Sequence, residues 1–214
     1  MDYERFLKDV KYDLLVPPLG LNFRSMTSKQ AKKNFEWFMS IKQQRIEYLR
    51  MKCAGDLKIS PECLDLRAES LIYIWRWFLK TALIEKTPQD EVEEMKVKYA
   101  KFGDTWVSHE KFSVATHYII RDIGIYLGDV FISVNGVIEW NFITKPKNYV
   151  HVNKPLLIGF IDNRYTPAFN RDFEPIASVH TQALKIIKET PNETDLYELC
   201  KKWITYIPQN TDME

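Results

Sequence analysis

The histidines are the side chains best suited to metal binding and acid–base catalysis, but their spacing along the chain does not indicate a metal site. His109 and His117 are the closest pair, eight residues apart, so a zinc site would need ligands brought together by the fold. The sequence holds no GxGxxG, GKS/GKT, GxSxG or HExxH motif, and these are the patterns of phosphate loops, nucleophile elbows and zinc hydrolases. The sequence therefore predicts no metal and no cofactor.

Carboxylates in apolar surroundings are the next candidates. Asp122 borders the apolar face of a predicted helix, and Glu139 lies on a predicted strand. With His117 and Arg121 they would supply acid–base groups to a cleft between that helix and a hairpin. Asp122 has a second interpretation, as the ion-pair partner of an arginine. A small enzyme is therefore kept as an alternative hypothesis.

The cysteines favour structural roles. Their odd number and lack of paired short spacing are typical of free thiols in a reducing compartment. Cys53 and Cys200 lie on predicted core faces, where a thiol is inert, and Cys63 lies near a predicted helix start. No orienting pattern accompanies Cys63, so a catalytic thiol is not predicted.

Aromatic residues make up 14% of the chain, more than a plain core requires, and they favour binding. Trp and Tyr are common anchors at protein contact surfaces. A basic loop over 145–154 would add charge, although a solvated hairpin loop is the alternative there. The predicted binding residues are Trp37, Tyr48, Trp77, Trp140, Lys147 and Tyr149.

Apolar periodicity predicts the helices that position these residues. Thr27 and Gln30 have the spacing of a capping box, and Gly55 is placed just beyond the end of the same helix. Trp37 and Tyr48 lie on a second apolar face of that helix, which would be covered within the chain or by a partner. The predicted helices cover 2–15, 27–53, 62–84, 86–103 and 109–134, with two more after residue 172.

The helix predicted over 109–134 is apolar almost all round, so we expect it to be the buried centre of the domain. Gly124 and Gly128 lie on its narrow polar strip. A glycine inside a helix costs about 1 kcal/mol relative to alanine. Two of them, four residues apart, predict close packing against another element.

Asn135 and Gly136 mark a turn, and a β-hairpin is predicted over 137–161, with 162–172 as a loop. Residues 106–107 are a candidate third strand. The predicted fold class is α+β and predominantly α-helical: a layered helical domain around a buried central helix, with an embedded hairpin. We expect one domain over 1–214, with a frayed tail after residue 208.

Composition excludes several classes of protein. With 45% hydrophobic residues the chain is not intrinsically disordered. A formal net charge of +1 argues against nucleic-acid binding. The sequence shows no long uncharged apolar run and no apolar segment near Met1, so neither a membrane span nor a secretory signal is predicted. The expected location is cytoplasmic.

Three blocks of the sequence, at 26–39, 122–128 and 136–160, carry a family resemblance. They read MTSKQA through FEWFM, DIGIYLG, and EWNF…PKN…VNKPLLIGF. Together they resemble an uncharacterised family of small cytosolic proteins from Gram-positive bacteria, similar to the immunity partners of secreted toxins. The resemblance implies a bacterial origin and a single helical domain with a hairpin, and it names no catalytic residue.

The leading hypothesis is a non-enzymatic protein-binding protein, an immunity protein that sterically blocks a bacterial toxin. Its expected partner is another protein, or a second copy of the chain. The alternatives are the small enzyme described above and a homodimeric structural protein that buries its second aromatic faces by association.

Overall fold

A computed structural model describes residues 12–103 and 106–208. The predicted fold class is confirmed, because the described chain is mostly helical with two small antiparallel sheets. Most of the helix predicted over 2–15, and the tail after residue 208, lie outside the described residues; Tyr12–Leu15 are not helical. The helices are α1 (Ser28–Leu57), α2 (Ser70–Thr81), α3 (Gln89–Tyr99), α4 (Val114–Val134), α5 (Pro175–Ala183), α6 (Lys185–Lys188) and α7 (Asp195–Ile204). The strands are β1 (Ile84–Lys86), β2 (Glu110–Phe112), β3 (Glu139–Phe142), β4 (Pro155–Asp162) and β5 (Phe169–Phe173).

The predicted capping box begins α1. The backbone N–H of Gln30 donates to Thr27 Oγ1 at 3.3 Å, and Thr27 N–H donates to Gln30 Oε1 at 2.9 Å. The predicted end of the helix was wrong. Gly55 lies inside α1, and Lys58 takes the left-handed conformation that ends it, with φ 57° and ψ 44°. Its N–H reaches the carbonyls of Ala54 and Gly55, so a lysine performs the role predicted for the glycine.

Helix α2 begins eight residues later than the predicted residue 62. Pro61–Cys63 form a short 3-10 helix instead. Leu66 then has a positive φ of 63°, which an α-helix does not admit, and its N–H donates to the Tyr126 hydroxyl at 3.0 Å. This tertiary contact explains the late start.

Two segments predicted as helix ends are strands. The prediction places Ile84 at the end of the helix over 62–84, Lys86 at the start of the helix over 86–103, and β2 in the helix over 109–134. In the structure β1 and β2 pair antiparallel. Ser113 caps α4, accepting from Thr116 N–H at 3.2 Å, and Thr116 Oγ1 accepts from Leu83 N–H at 2.9 Å. These bonds fix the strand pair beside the first turn of α4. Residues 106–107, the candidate third strand, are not in a strand.

Helix α4 is the buried centre, as predicted. Residues 119–131 of it are all buried, including three charged side chains. The large aromatic and aliphatic residues of α1, α2, α7 and the larger sheet pack around it in one hydrophobic core. No helix among the described residues combines the length and the apolar character needed to cross a bilayer.

The strands β3 and β4 form the predicted hairpin, in which they pair antiparallel with Glu139 opposite Ile158. Strand β5 pairs with the other edge of β4 and completes a three-stranded sheet. The strand β5 was missed, because three of the five residues in its FNRDF sequence are polar, and 162–172 was predicted to be a loop. Arg171 on β5 donates to Asp162 of β4 at 2.8 and 2.6 Å. An ion pair thus fastens a strand that has little apolar signal.

The two glycines of α4 lie against other elements. A Cβ on Gly124 would lie 2.7 Å from Ile176 Cα, at the start of α5. A Cβ on Gly128 would lie 2.1 Å from the Trp140 ring of β3. Glycine therefore lets α5 and β3 approach the central helix more closely than any side chain would allow.

Candidate functional site

A cavity of about 380 Å³ lies between α1, α4 and α5, and the segment before α1 and the start of β4 complete its wall. Its lining is mostly apolar and aromatic. Trp37 and Phe38 of α1, Ile120 of α4 and Ile176 of α5 contribute much of the apolar wall, and Phe23 adds to it from the segment before α1. Small-molecule sites are typically apolar cavities of about 300–1,000 Å³ with a few polar groups.

Backbone features hold the α5 wall in place. The Gly124 contact sets the distance between α4 and Ile176. Glu174 caps α5 by accepting from Ala177 N–H at 2.9 Å, and Pro175 occupies the first turn. Ile176 and Ala177 lie in the first turn of α5, His180 lies one turn later, and all three line the cavity.

Arg121 joins the cavity to a buried ion cluster. Its Nε donates to Asp122 Oδ1 at 3.0 Å, and its Nη1 donates to the Leu15 carbonyl at 2.6 Å. Arg45 donates to the other oxygen of Asp122 at 2.5 and 3.0 Å. The Tyr12 hydroxyl donates to that oxygen at 2.8 Å, and burial is the main reason why the pKa of Tyr12 is raised.

Two residues that line the cavity each hold a buried polar atom without a hydrogen-bond partner within the described part of the chain. These atoms are Arg121 Nη2 and Asn34 Oδ1, and neither is exposed to solvent. A buried donor or acceptor that stays unpaired costs about 1–3 kcal/mol. Such atoms need an explanation, and a bound group is one.

His117 and His180 stack at the edge of the cavity, with ring centroids 5.7 Å apart and planes at 14°. The Phe112 ring packs edge-on against both, at 6.1 Å each. Partial burial lowers the pKa of each histidine, and the charge of His117 lowers that of His180 further. Both rings are therefore neutral at pH 7.

Lys154 and Glu174 also line the cavity, with Nζ and Oε2 3.9 Å apart. Glu174 is 5% exposed, and burial raises the pKa of its carboxyl group while Lys154 opposes the shift. At this distance the pair is loose, because a close charge-assisted hydrogen bond spans about 2.7–2.9 Å.

The structure brings together only part of the set predicted for catalysis. His117 and Arg121 line the cavity. Asp122 is fully buried, with both oxygens bound to arginines, and does not line it. Glu139 is exposed on β3 and is not among the lining residues. The cavity borders the central helix as expected, but α5 and α1 form more of it than the hairpin does.

Two of the predicted binding anchors require correction. Trp77 and Trp140 are 1% and 7% exposed, so they are core residues. Each indole donates to a carboxylate, Trp77 to Asp56 at 2.9 Å and Trp140 to Asp129 at 3.1 Å. The second apolar faces that carry Trp77 and Trp140 are therefore covered by other elements of the same chain.

The other four predicted anchors are at least partly accessible. Trp37 is half-buried in the cavity wall. Tyr48 is half-buried against Tyr12, with ring centroids 5.0 Å apart. In the basic loop, exposed Lys147 donates to the Met26 carbonyl at 3.0 Å, and the Tyr149 hydroxyl donates to Asp172 at 2.9 Å. The loop is therefore tied to its own chain.

The three cysteines, His109 and His151 are not among the residues that line the cavity. Cys53 and Cys200 are buried, and burial raises the pKa of each thiol to about 12. Cys63 is exposed. Within residues 12–103 and 106–208, no three His, Cys, Asp or Glu side chains come together as a metal site.

The sequence reasoning missed Asn34, Lys154 and Glu174 as cavity residues. Asn34 carried a usable signal. It precedes Phe38 and Ile41 by four and seven residues, so it is a polar side chain on an apolar helix face. Lys154 ends the loop before β4, and Glu174 joins the unpredicted strand β5 to α5, so no local pattern could have placed them together.

Comparison with known proteins adds no relative. No protein-family model matches the chain, and no curated protein or solved structure matches it either. The site must therefore be interpreted from its own geometry.

Proposed function

We propose that the protein binds a small, largely apolar molecule in the cavity between α1, α4 and α5, without transforming it. The observation that carries this proposal is an apolar cavity lined by Arg121 and Asn34, whose buried Nη2 and Oδ1 atoms have no hydrogen-bond partner among the described residues. Apolar walls supply affinity, and a few placed polar groups orient the ligand.

The histidine pair supports an apolar ligand. His117 and His180 add two stacked rings to the cavity lining, and both rings are neutral at pH 7. Trp37, Phe38 and Phe23 add further aromatic walls. Offset or edge-on aromatic contacts contribute about 0.5–1.5 kcal/mol each beyond burial, so a planar apolar ligand fits this lining well.

Binding is favoured over catalysis by what the charged groups do. Asp122, one of the acid–base candidates from the sequence, has both oxygens occupied by Arg45 and Arg121. Among the described residues, neither His117 nor His180 hydrogen-bonds to a carboxylate that would orient it as a general base.

The proposal is tested with 1-aminoanthracene, a neutral apolar fluorophore. Wild-type protein should enhance its fluorescence with one saturable site. Ala177→Phe, which fills the cavity from α5, should weaken binding at least tenfold. Ala168→Phe is the matched control, because Ala168 is exposed in the loop before β5, and it should bind as wild type does. Absence of binding, or equal binding by all three proteins, would refute the proposal.

Protein binding is a second candidate, favoured by a separate observation. Phe102 and Trp106 are 63% and 58% exposed, and their ring centroids are 5.5 Å apart. Exposed neighbouring aromatics are typical of contact surfaces. If the protein neutralises a toxin through them, co-expression should rescue cells from that toxin, and Trp106→Ser should abolish the rescue while Val114→Ser, at another exposed position, should not.

A further inference from the structure

The charges around Arg121 indicate which polar group the apolar ligand carries. Arg121 is 9% exposed, and two of its three nitrogens are already bound, Nε to Asp122 and Nη1 to the Leu15 carbonyl. Its guanidinium also lies over the Tyr118 ring, with Cζ 4.8 Å from the centroid. The side chain is thus held firmly, and Nη2 is the guanidinium nitrogen that has no hydrogen-bond partner among residues 12–103 and 106–208.

Within the part of the chain that the structure describes, the buried charges of this cluster do not balance. Arg45 and Arg121 contribute two positive charges, and Asp122 is the one fully buried carboxylate among the described residues that pairs with them. Asp13 also pairs with Arg45, but its side chain is 59% exposed, so solvent screens it. A buried excess of positive charge is unfavourable unless an anion compensates it.

Lys154 adds to this excess on the cavity wall. Its nearest carboxylate oxygen is Glu174 Oε2, at 3.9 Å. Glu174 uses that same oxygen to cap α5, and burial favours its neutral form. Lys154 is therefore only partly compensated, and its side chain is 32% exposed at the cavity wall.

We propose that the ligand is an apolar anion, whose carboxylate accepts a hydrogen bond from Arg121 Nη2 while its apolar body occupies the aromatic cavity. A carboxylate satisfies the free donor and supplies the missing negative charge, whereas a neutral amide satisfies only the donor. Charge-assisted hydrogen bonds are about twice as strong as neutral ones. This inference rests on the proposed binding function and names the ligand class of the same site.

Two ligands of nearly equal shape test it, 2-naphthoate and 2-naphthamide, each titrated against bound 1-aminoanthracene. We expect the carboxylate to displace the probe at a concentration at least about tenfold lower than the amide. Arg121→Gln should weaken naphthoate about tenfold and leave naphthamide nearly unchanged. Lys33→Gln removes one positive charge from the exposed face of α1 and should change neither.

The outcomes separate the two proposals. If 1-aminoanthracene does not bind, the binding function itself fails. If it binds, but naphthamide displaces it as well as naphthoate does, or neither displaces it, the anion inference is overturned and the function stands. A carboxylate preference that survives in folded Arg121→Gln also overturns it. Should circular dichroism show that Arg121→Gln is unfolded, the carboxylate-to-amide ratio of the wild type decides.

Discussion

Replacing Gly128 with alanine should destabilise the protein, against the ordinary preference of helices for alanine. The new Cβ would lie 2.1 Å from Trp140 Cζ2 and 2.8 Å from two further atoms of the ring. Separating them to van der Waals contact requires a shift of more than 1 Å in an indole that is 7% exposed. The indole N–H would then move away from Asp129 Oδ1, now 3.1 Å distant.

The magnitude follows from three contributions. Overpacking costs about 1–3 kcal/mol, and weakening a hydrogen bond to a charged group costs up to about 1.5–3 kcal/mol. The higher helix propensity of alanine offsets about 1 kcal/mol. We therefore expect Gly128→Ala to lower the free energy of unfolding by about 2–4 kcal/mol, measured by urea titration with circular dichroism.

Gly55→Ala is the matched control. Gly55 also lies inside a helix, but a Cβ there would meet no atom within 4 Å. This variant should gain up to about 1 kcal/mol. If Gly128→Ala proved as stable as wild type, or gained stability as Gly55→Ala does, the close approach of β3 to the central helix would be refuted.

Three further predictions concern charge and reactivity. Asp122→Asn should lower the free energy of unfolding by about 3–5 kcal/mol in a urea titration, because it leaves the buried Arg45 guanidinium without its main partner; a loss under 1 kcal/mol would contradict the buried cluster. The pKa values of His117 and His180 are lowered on folding, so the unfolded chain binds more protons near pH 6.5 and stability should fall as pH drops from about 7 through the lowered values. His180→Gln should reduce that fall, measured as the difference from wild type at each pH, and an unchanged slope would argue against the pair. Exposed Cys63 should react with a thiol reagent in the native protein, while the two buried cysteines react only after unfolding.

The sequence reveals what local patterns encode. The capping box at Thr27 and the apolar circumference of α4 are local, and both are confirmed. The starts of α2 and β5 depend on tertiary contacts, namely Leu66 N–H with the Tyr126 hydroxyl and Arg171 with Asp162. These contacts join residues that are separated in the chain, and they decide the local structure where the intrinsic helix or strand propensity is weak. Hydrophobic periodicity therefore does not reveal them.

The candidate site was predictable in fragments. His117 and Arg121 were singled out because they lie on the polar strip of an otherwise apolar helix, and both line the cavity. Trp77 and Trp140 were misplaced because a second apolar face was taken as a surface for partners, whereas both indoles are buried and donate to Asp56 and Asp129 of the same chain. The approach of α5 to α4 is a tertiary fact that no window of the sequence contains.

The location of a bound ligand tests the central claim most directly. With 1-aminoanthracene bound to protein carrying labelled isoleucine methyl groups, nuclear Overhauser effects should connect the ligand to Ile120 and Ile176, which line the cavity. Effects to these two methyl groups, absent in Ala177→Phe, are the predicted result. A ligand that binds yet shows its contacts to other isoleucines and none to this pair would contradict the account.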